Sequence, residues 1–144
     1  MPYAEASPRV AFSELDGYRV IDVREENEFH GPLGFIERAE LFPLSTIEAN
    51  AEQLAGSRPL LLVCRSGKRS AMACQRLQTL GVDTVTNLVG GMIGWNRSEL
   101  PILRTEPKTI QALVRQLVSW TAQVGPLTPE AALEVALDHF RQSD

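Results

Sequence analysis

This chain contains few of the residues that build metal centres or disulfide frameworks. Its 144 residues include two cysteines and two histidines, and aromatic side chains make up 6% of the sequence. No two Cys or His residues have the close spacing of a zinc site, so we expect no metal site and no cofactor. If a helix begins near residue 70, Cys74 lies inside it, too far from Cys64 for a disulfide.

The sequence also lacks a basic start followed by an apolar run and any apolar run long enough to span a bilayer. We therefore expect no membrane partner and a cytoplasmic location. The formal net charge of -4 argues against a general nucleic-acid binder. Hydrophobic and charged fractions of 44% and 22% are those of an ordinary globular protein, and the length fits one domain with a small appendage.

One short stretch has a clear chemical pattern. Residues 60–63 are four consecutive apolar residues, which predict a strand buried on both faces, and residues 70–80 predict a helix. Cys64 then lies at the carboxyl end of a strand and just before a helix N-terminus. In open α/β sheets ligands bind at this edge, where backbone N–H groups and the positive end of the helix dipole point.

The loop after Cys64 is short, basic and contains a glycine. We expect its cations and the helix dipole to favour the thiolate form of Cys64, which we interpret as a nucleophile in a small anion-binding cradle. The alternative is a buried structural cysteine followed by an ordinary basic turn. The predicted substrate-binding residues are Arg65, Ser66, Gly67, Lys68, Arg69 and Ser70.

The remaining pattern alternates strands with helices, which indicates a largely parallel sheet covered on two sides. Strands are predicted at residues 7–10, 18–23, 40–43 and 84–89, and helical segments at residues 12–15, 25–30, 46–54 and 92–96. Asp22 and Arg24 follow the second strand and should emerge at the same edge as Cys64, where we expect them to support the cationic loop. A polar strand end facing water is the alternative for Asp22. His30 is predicted to be a surface or packing residue, not a catalytic base.

With these pieces assembled, residues 7–103 resemble a single-domain rhodanese, a thiosulfate sulfurtransferase-like family. The residues that carry the resemblance are Asp22-Val23-Arg24-Glu25, Glu28-Phe29, the Cys-x-x-Gly-x-Arg loop at residues 64–69 with Ser70, Gly90-Gly91-Met92 with Trp95, and Leu100-Pro101. The resemblance implies a mostly parallel five-stranded sheet with helices on both faces. The chain departs from the family at residues 34–39, where relatives often have Gly-His-Ile-Pro-Gly-Ala, and this puts the local turn in question.

The resemblance implies a sulfurtransferase in which Cys64 takes a sulfane sulfur from thiosulfate or a similar small anion and passes it to cyanide or a thiol. Covalent catalysis of this type predicts ping-pong kinetics. A protein-to-protein sulfur relay or sensor, with a protein as sulfur acceptor, is the alternative. A cysteine phosphatase or arsenate reductase is disfavoured, because phosphatases place the arginine six positions after the cysteine, where this chain has Ser70.

Residues 105–144 lie outside the resemblance, so we divide the chain into a rhodanese-like domain at residues 1–104 and a helical extension at residues 105–144. Pro107 suits a first helical position, and apolar residues from Ile110 to Val124 recur at helical spacing. Residues 128–130 signal a second helix. The hairpin that results either packs on the domain or mediates self-association, as in a homodimer, or partner docking.

Overall fold

The computed structural model describes residues 3–56 and 58–125. Five strands alternate with helices along these residues. The strands are β1 (Ala4–Ala6), β2 (Arg19–Asp22), β3 (Glu40–Leu41), β4 (Leu60–Val63) and β5 (Val85–Leu88). The α-helices are α1 (Pro8–Ser13), α2 (Glu26–Phe29), α3 (Ala51–Leu54), α4 (Lys68–Thr79), α5 (Gly91–Arg97) and α6 (Ile110–Val124), with 3₁₀ turns at Leu15–Gly17 and Leu44–Thr46.

The strands form one sheet in the order β1-β5-β4-β2-β3. Every pairing between neighbouring strands is parallel, so their carboxyl ends meet at one edge. The strand that precedes Cys64, β4, is the middle strand, and it pairs with β2 on one side and β5 on the other. The predicted α/β fold with a parallel five-stranded sheet is therefore confirmed.

Side chains of β4 alternate between two hydrophobic clusters, one on each face of the sheet. Leu60 and Leu62 pack with α3 and α4 in the first cluster, which also contains Cys64. Leu61 and Val63 pack with α1 and α5 in the second cluster. Because both faces are covered, all four residues of β4 are buried, as their apolar run predicts.

The N-terminal segment differs from the sequence-based prediction. An edge strand is present, but it is Ala4–Ala6 and pairs with β5. Residues 7–10, predicted as a strand, instead begin α1, because the Ser7 side chain accepts a hydrogen bond from the Val10 N–H and Pro8 occupies a first helical position. Proline has no N–H to leave unsatisfied there, so it favours a helix start.

The helix predicted over residues 46–54 is also interrupted. A 3₁₀ turn at Leu44–Thr46 precedes a short α3 at Ala51–Leu54. The Thr46 hydroxyl donates to the Pro43 carbonyl and the Asn50 amide donates to the Thr46 carbonyl. Side chains that bond to nearby backbone in this way compete with a continuous helix.

The C-terminal α6 begins later than predicted. Its first residue is Ile110 and not Pro107, since the Thr109 hydroxyl accepts from the Ala112 N–H at 3.0 Å and caps the helix there. Its predicted apolar stripe divides between two faces: Leu113 and Trp120 are buried, whereas Ile110, Val114 and Val118 are exposed. The predicted second helix of the extension lies outside the described residues. In residues 3–56 and 58–125, no helix is long and apolar enough to cross a membrane.

Candidate active site

Cys64 directly follows β4, and the loop after it is tethered to a neighbouring helix. The carbonyl oxygens of Cys64 and Arg65 accept hydrogen bonds from the N–H groups of Met92 and Ile93, at 2.9 and 3.1 Å. These donors belong to the first turn of α5, whose N–H groups have no partner within their own helix. The α5 helix thus fixes the backbone that carries the cysteine.

The Cys64 sulfur belongs to a closed ring of hydrogen bonds. Its Sγ lies 3.0 Å from the Gly67 N and 3.2 Å from the Ser70 Oγ. The Ser70 Oγ lies 2.6 Å from the Asn87 Oδ1, and the Asn87 Nδ2 donates to the Gly67 carbonyl at 3.2 Å. We call these four residues, Cys64, Gly67, Ser70 and Asn87, the cysteine ring. Ser70 and Asn87 are almost completely buried.

The Cys64 side chain is buried, although it precedes a largely exposed loop. Cys64 is 0% exposed, whereas Arg65, Ser66 and Lys68 are exposed. The reason is that Gly67, at a φ of 96°, turns the backbone so that its N–H points back to the sulfur. The side chain is therefore buried yet accepts polar contacts, unlike a cysteine sealed among apolar groups only.

Arg69 is held by an acidic partner from α2. Its two terminal nitrogens donate to the two carboxylate oxygens of Glu28, both at 2.7 Å. The hydrogen bond from Arg69 lowers the pKa of Glu28, and in return Glu28 raises the pKa of Arg69. Both groups stay charged at neutral pH. Arg69 thus links the cysteine loop to α2 through a bidentate ion pair.

Arg65 and Lys68 are the loop cations that remain open to solvent. Among residues 3–56 and 58–125, no carboxylate forms an ion pair with either of them. The α4 helix starts at Lys68 with Gly67 as its N-cap and no side-chain capping bond. The loop that follows Cys64 therefore contains two exposed cations and a helix start without a side-chain cap, a combination that favours anions.

Asp22 and Arg24 form a buried ion pair with each other. The Arg24 guanidinium binds both Asp22 carboxylate oxygens, with its Nη2 at 2.8 Å from Oδ2, and both side chains are 1% exposed. Arg24 also donates to the carbonyls of Glu28 and Gly34. The pair thus braces the segment between β2 and β3, and its link to the loop runs through Glu28.

Residues 34–39, where the chain departs from the family pattern, form an unusual turn. Gly34 and Arg38 both have a positive φ, of 66° and 67°. A Cβ at Gly34 would approach the Leu103 carbonyl oxygen to 2.6 Å, and Phe35 pairs with Leu103 in an isolated antiparallel bridge. The turn therefore connects Leu103 with α2, since Phe35 also stacks on Phe29 of that helix.

Cys74 and His30 have the packing roles that their sequence contexts predict. Cys74 is a free thiol in the same hydrophobic cluster as Cys64, and burial raises its pKa to about 12. The His30 ring contacts the Thr105 hydroxyl through Nδ1, and its carbonyl accepts from the Trp120 indole. Among the described residues, neither side chain forms a hydrogen bond with the Cys64 sulfur.

A small cleft adjoins the loop. It has a volume of about 190 Å³ and is lined by Arg24, Glu28, Pro32, Leu33, Arg65 and Gln123. Gln123 comes from α6, and its side chain donates to the Asn27 carbonyl at 2.8 Å. A larger cavity of about 470 Å³ lies between Gly17, Pro59 and Thr84, at the start of the strands and away from the cysteine. The smaller cleft is the better candidate for a substrate approach, because it contains loop residue Arg65.

Two residues of the site, Asn87 and Glu28, lack an assigned role in the sequence-based prediction. The sequence offers one signal for Asn87, which is a polar residue within a predicted strand and lies three residues before Gly90-Gly91. Buried polar groups need partners, so this position signals a contact at the sheet edge. Glu28 offers no such signal, because its partner Arg69 is far away in sequence. In the described ranges, no group of three or more His, Cys, Asp or Glu side chains could hold a metal ion.

Comparisons with known proteins agree with this architecture. A sulfurtransferase from Allochromatium vinosum is 36% identical over 94 residues, which are 65% of this chain and 86% of that protein. An uncharacterized protein from Synechocystis is 33% identical over 104 residues, which are 72% of this chain but 56% of the relative. The crystal structure of a rhodanese-related protein from Thermoplasma volcanium superposes with a TM-score of 0.66 at 25% identity, covering 72% of this chain and 100% of that one.

A model of the Rhodanese-like domain matches residues 9–98. This match contains strands β2 to β5. It also contains the loop after Cys64 and the whole of α5, which ends at Arg97. It ends before α6. The chain therefore belongs to the rhodanese-like family.

Proposed function

We propose that the protein is a sulfurtransferase that carries a sulfane sulfur as a persulfide on Cys64. The observation that carries this proposal is the hydrogen bond from the Gly67 N–H to the Cys64 sulfur, in a loop that also contains two exposed cations. Membership of the rhodanese-like family and the likeness to a sulfurtransferase support it.

The chemistry follows from covalent catalysis by a thiolate. The Cys64 thiolate attacks the outer sulfur of thiosulfate, a new S–S bond forms, and the S–S bond of the donor breaks. Sulfite leaves with the electron pair of the broken bond. Cyanide or a thiolate then attacks the outer sulfur of the persulfide, takes that sulfur, and the Cys64 thiolate is regenerated.

Each loop residue has a role in this scheme. Arg65 and Lys68 attract the dianionic donor, because their charges are exposed and face no carboxylate in the described residues. Backbone N–H groups of residues 65–70 stabilise the charge on the outer sulfur and on the departing sulfite. Arg69 shapes the loop through Glu28, and Ser70 contacts the reacting sulfur. Because Cys64 is 0% exposed, we expect the loop that follows it to rearrange when the donor is admitted.

Mass spectrometry of the intact protein after incubation with thiosulfate tests the proposal. We expect an added mass of one sulfur atom that cyanide removes. The adduct should persist in Cys74→Ser, which changes a core cysteine, and disappear in Cys64→Ser. Absence of the adduct from the unaltered protein, or its presence on Cys64→Ser, would contradict the proposal.

A sulfur relay to a partner protein is the second candidate. It is favoured by the complete burial of the sulfur, which would shield a persulfide from small nucleophiles until a partner displaced the loop. Rapid turnover with cyanide supports the enzyme, whereas a stable persulfide that transfers only to a protein thiol supports the relay. Phosphoryl transfer is disfavoured, since Arg69 is bound by Glu28 and Ser70 stands where phosphatases have their arginine.

A further inference from the structure

The cysteine ring contains too few protons for all of its contacts to persist when Cys64 ionises. The Ser70 hydroxyl has one proton, and the Asn87 Oδ1 can only accept a hydrogen bond. Since the Ser70 Oγ lies 2.6 Å from that oxygen, Ser70 donates to Asn87. The Ser70 hydroxyl also lies in donor position to the Cys64 sulfur, at 3.2 Å, so its single proton has two possible acceptors.

The orientation of the Asn87 amide is fixed by its second contact. Its Nδ2 lies 3.2 Å from the Gly67 carbonyl oxygen, which is an acceptor. Turning the amide over would place two acceptor oxygens against each other in a buried site, where nothing compensates the repulsion. Asn87 is 3% exposed, so water does not replace the missing donor.

Ionisation of Cys64 therefore creates a conflict. When the thiol proton leaves to solvent, the thiolate and the Asn87 oxygen compete for the single Ser70 proton. Whichever acceptor loses is buried without that donor, and such a group is costly. We propose that Asn87 is a positioning residue that acts through Ser70 to hold the resting Cys64 in its protonated form. This inference deepens the proposed function and rests on Cys64 being its nucleophile.

Other charged and titratable groups around Cys64 also influence its protonation. Arg69 and Cys74, both on α4, interact with it electrostatically. The charged and titratable groups on the loop, α4, α2 and the end of β2 are Arg65, Lys68, Arg69, Cys74, Glu28, Asp22 and Arg24. The variants proposed below leave all of these groups in place.

The test measures the rate at which iodoacetamide alkylates Cys64 in the full chain, as a function of pH. Asn87→Leu removes the competing oxygen and releases the Ser70 proton to the thiolate. The midpoint of the profile should move to lower pH by about one unit, because the free energy of a hydrogen bond to a charged group corresponds to a shift of about that size. Asn87→Asp keeps an acceptor beside Ser70 and adds a negative charge, so its midpoint should move to higher pH.

Two further variants separate this role from general loosening of the site. In a Ser70→Ala background, Asn87→Leu should produce no further shift, because the proton for which the groups compete is gone. Thr86→Val removes a buried polar group from the adjacent position of β5 and should leave the midpoint unchanged. Thermal unfolding of each variant checks that it is folded.

Shifts of the two Asn87 variants in the same direction, no shift in either, or a shift that persists without Ser70 would overturn the inference. Alkylation needs no sulfur donor, so this result is independent of sulfur transfer. A sulfur adduct on Cys64 together with an unmoved profile overturns the role of Asn87 alone. Opposite shifts without any adduct overturn the proposed function alone.

Discussion

Cys64 and Cys74 lie in one hydrophobic cluster but have different surroundings. The sulfur of Cys64 has polar contacts to Gly67 and Ser70, whereas burial raises the pKa of Cys74 to about 12. Alkylating reagents attack the thiolate, so the two residues should differ in reactivity.

We expect iodoacetamide at about pH 8 to modify Cys64 and to leave Cys74 intact in the folded protein. Peptide mapping by mass spectrometry identifies the labelled residue. Unfolding in urea should expose both thiols and give two labels, which serves as the control. Labelling of Cys74 in the native protein would contradict its raised pKa.

Glu28 and Glu40 offer a matched comparison of bidentate ion pairs. Glu28 binds Arg69 with side-chain exposures of 20% and 33% for the two residues, while Glu40 binds Arg19 at 44% and 25%. Glu28→Gln should lower the free energy of unfolding by about 1 kcal/mol at neutral pH, and Glu40→Gln by less, because screening by solvent weakens exposed pairs. Urea denaturation provides both values.

The pH dependence of the Glu28 pair has a defined sign. The Arg69 hydrogen bond lowers the pKa of Glu28 in the folded state, so its contribution to stability is present at neutral pH and is lost as the pH falls through the lowered value. The difference in unfolding free energy between the unaltered protein and Glu28→Gln should shrink as the pH falls below the ordinary range of a glutamate pKa. A difference that grows with acidification would contradict this assignment.

At the scale of elements, the contact between α5 and the cysteine loop leaves no space for a side chain at Gly91. This residue has a φ of 56°, and a Cβ there would collide with the Cys64 carbonyl oxygen and approach that of Arg65 to 2.6 Å. These carbonyls accept the N–H groups of α5, so a collision separates the helix from the loop.

Gly91→Ala should therefore destabilise the protein by roughly 2–4 kcal/mol and suppress alkylation or sulfur loading of Cys64. Gly81→Ala is the control, because Gly81 also has a positive φ, of 90°, but open space around it. It should cost about 1 kcal/mol and leave the cysteine unaffected. Thermal melts and mass spectrometry measure the two effects. Equal losses in both variants would show that strain, not contact, dominates.

The elements also show which features a sequence reveals. The apolar run at Leu60–Val63 predicts a central strand, and Cys64 at its end predicts the position of the site. The start of α1 was missed although Ser7 and Pro8 carry a capping signal, because the same residues suit an edge strand. Side-chain partners far apart in sequence, such as Arg69 and Glu28, are brought together by packing. The spacing of residues along the sequence does not predict such pairs.

At the scale of the whole molecule, α6 is joined to the sheet domain largely through α2. The Trp120 indole donates to the His30 carbonyl at 3.0 Å, the Gln123 amide donates to the Asn27 carbonyl, and Trp120 is 3% exposed. These donors meet carbonyls at the end of a short helix, where no backbone partner remains. The extension thus places Gln123 beside the cleft that contains Arg65.

Trp120→Phe keeps an aromatic ring but removes the indole N–H. We expect α6 to dock less tightly, by about 1 kcal/mol, and its amides to exchange with deuterium severalfold faster. Val118→Ala, at a position that is 64% exposed, is the control and should change little. Unchanged exchange in Trp120→Phe would show that the indole hydrogen bond does not hold the helix.

The central place of β4 has a consequence for how the protein tolerates fluctuation. Strands β1 and β3 lie at the two margins of the sheet and have three and two residues, so they are the first to fray. Such fraying breaks no hydrogen bond of β4, whose partners are β2 and β5. A molecule with both margins loosened would still hold Cys64 in its native position, so the proposed sulfur loading should outlast the earliest signs of melting.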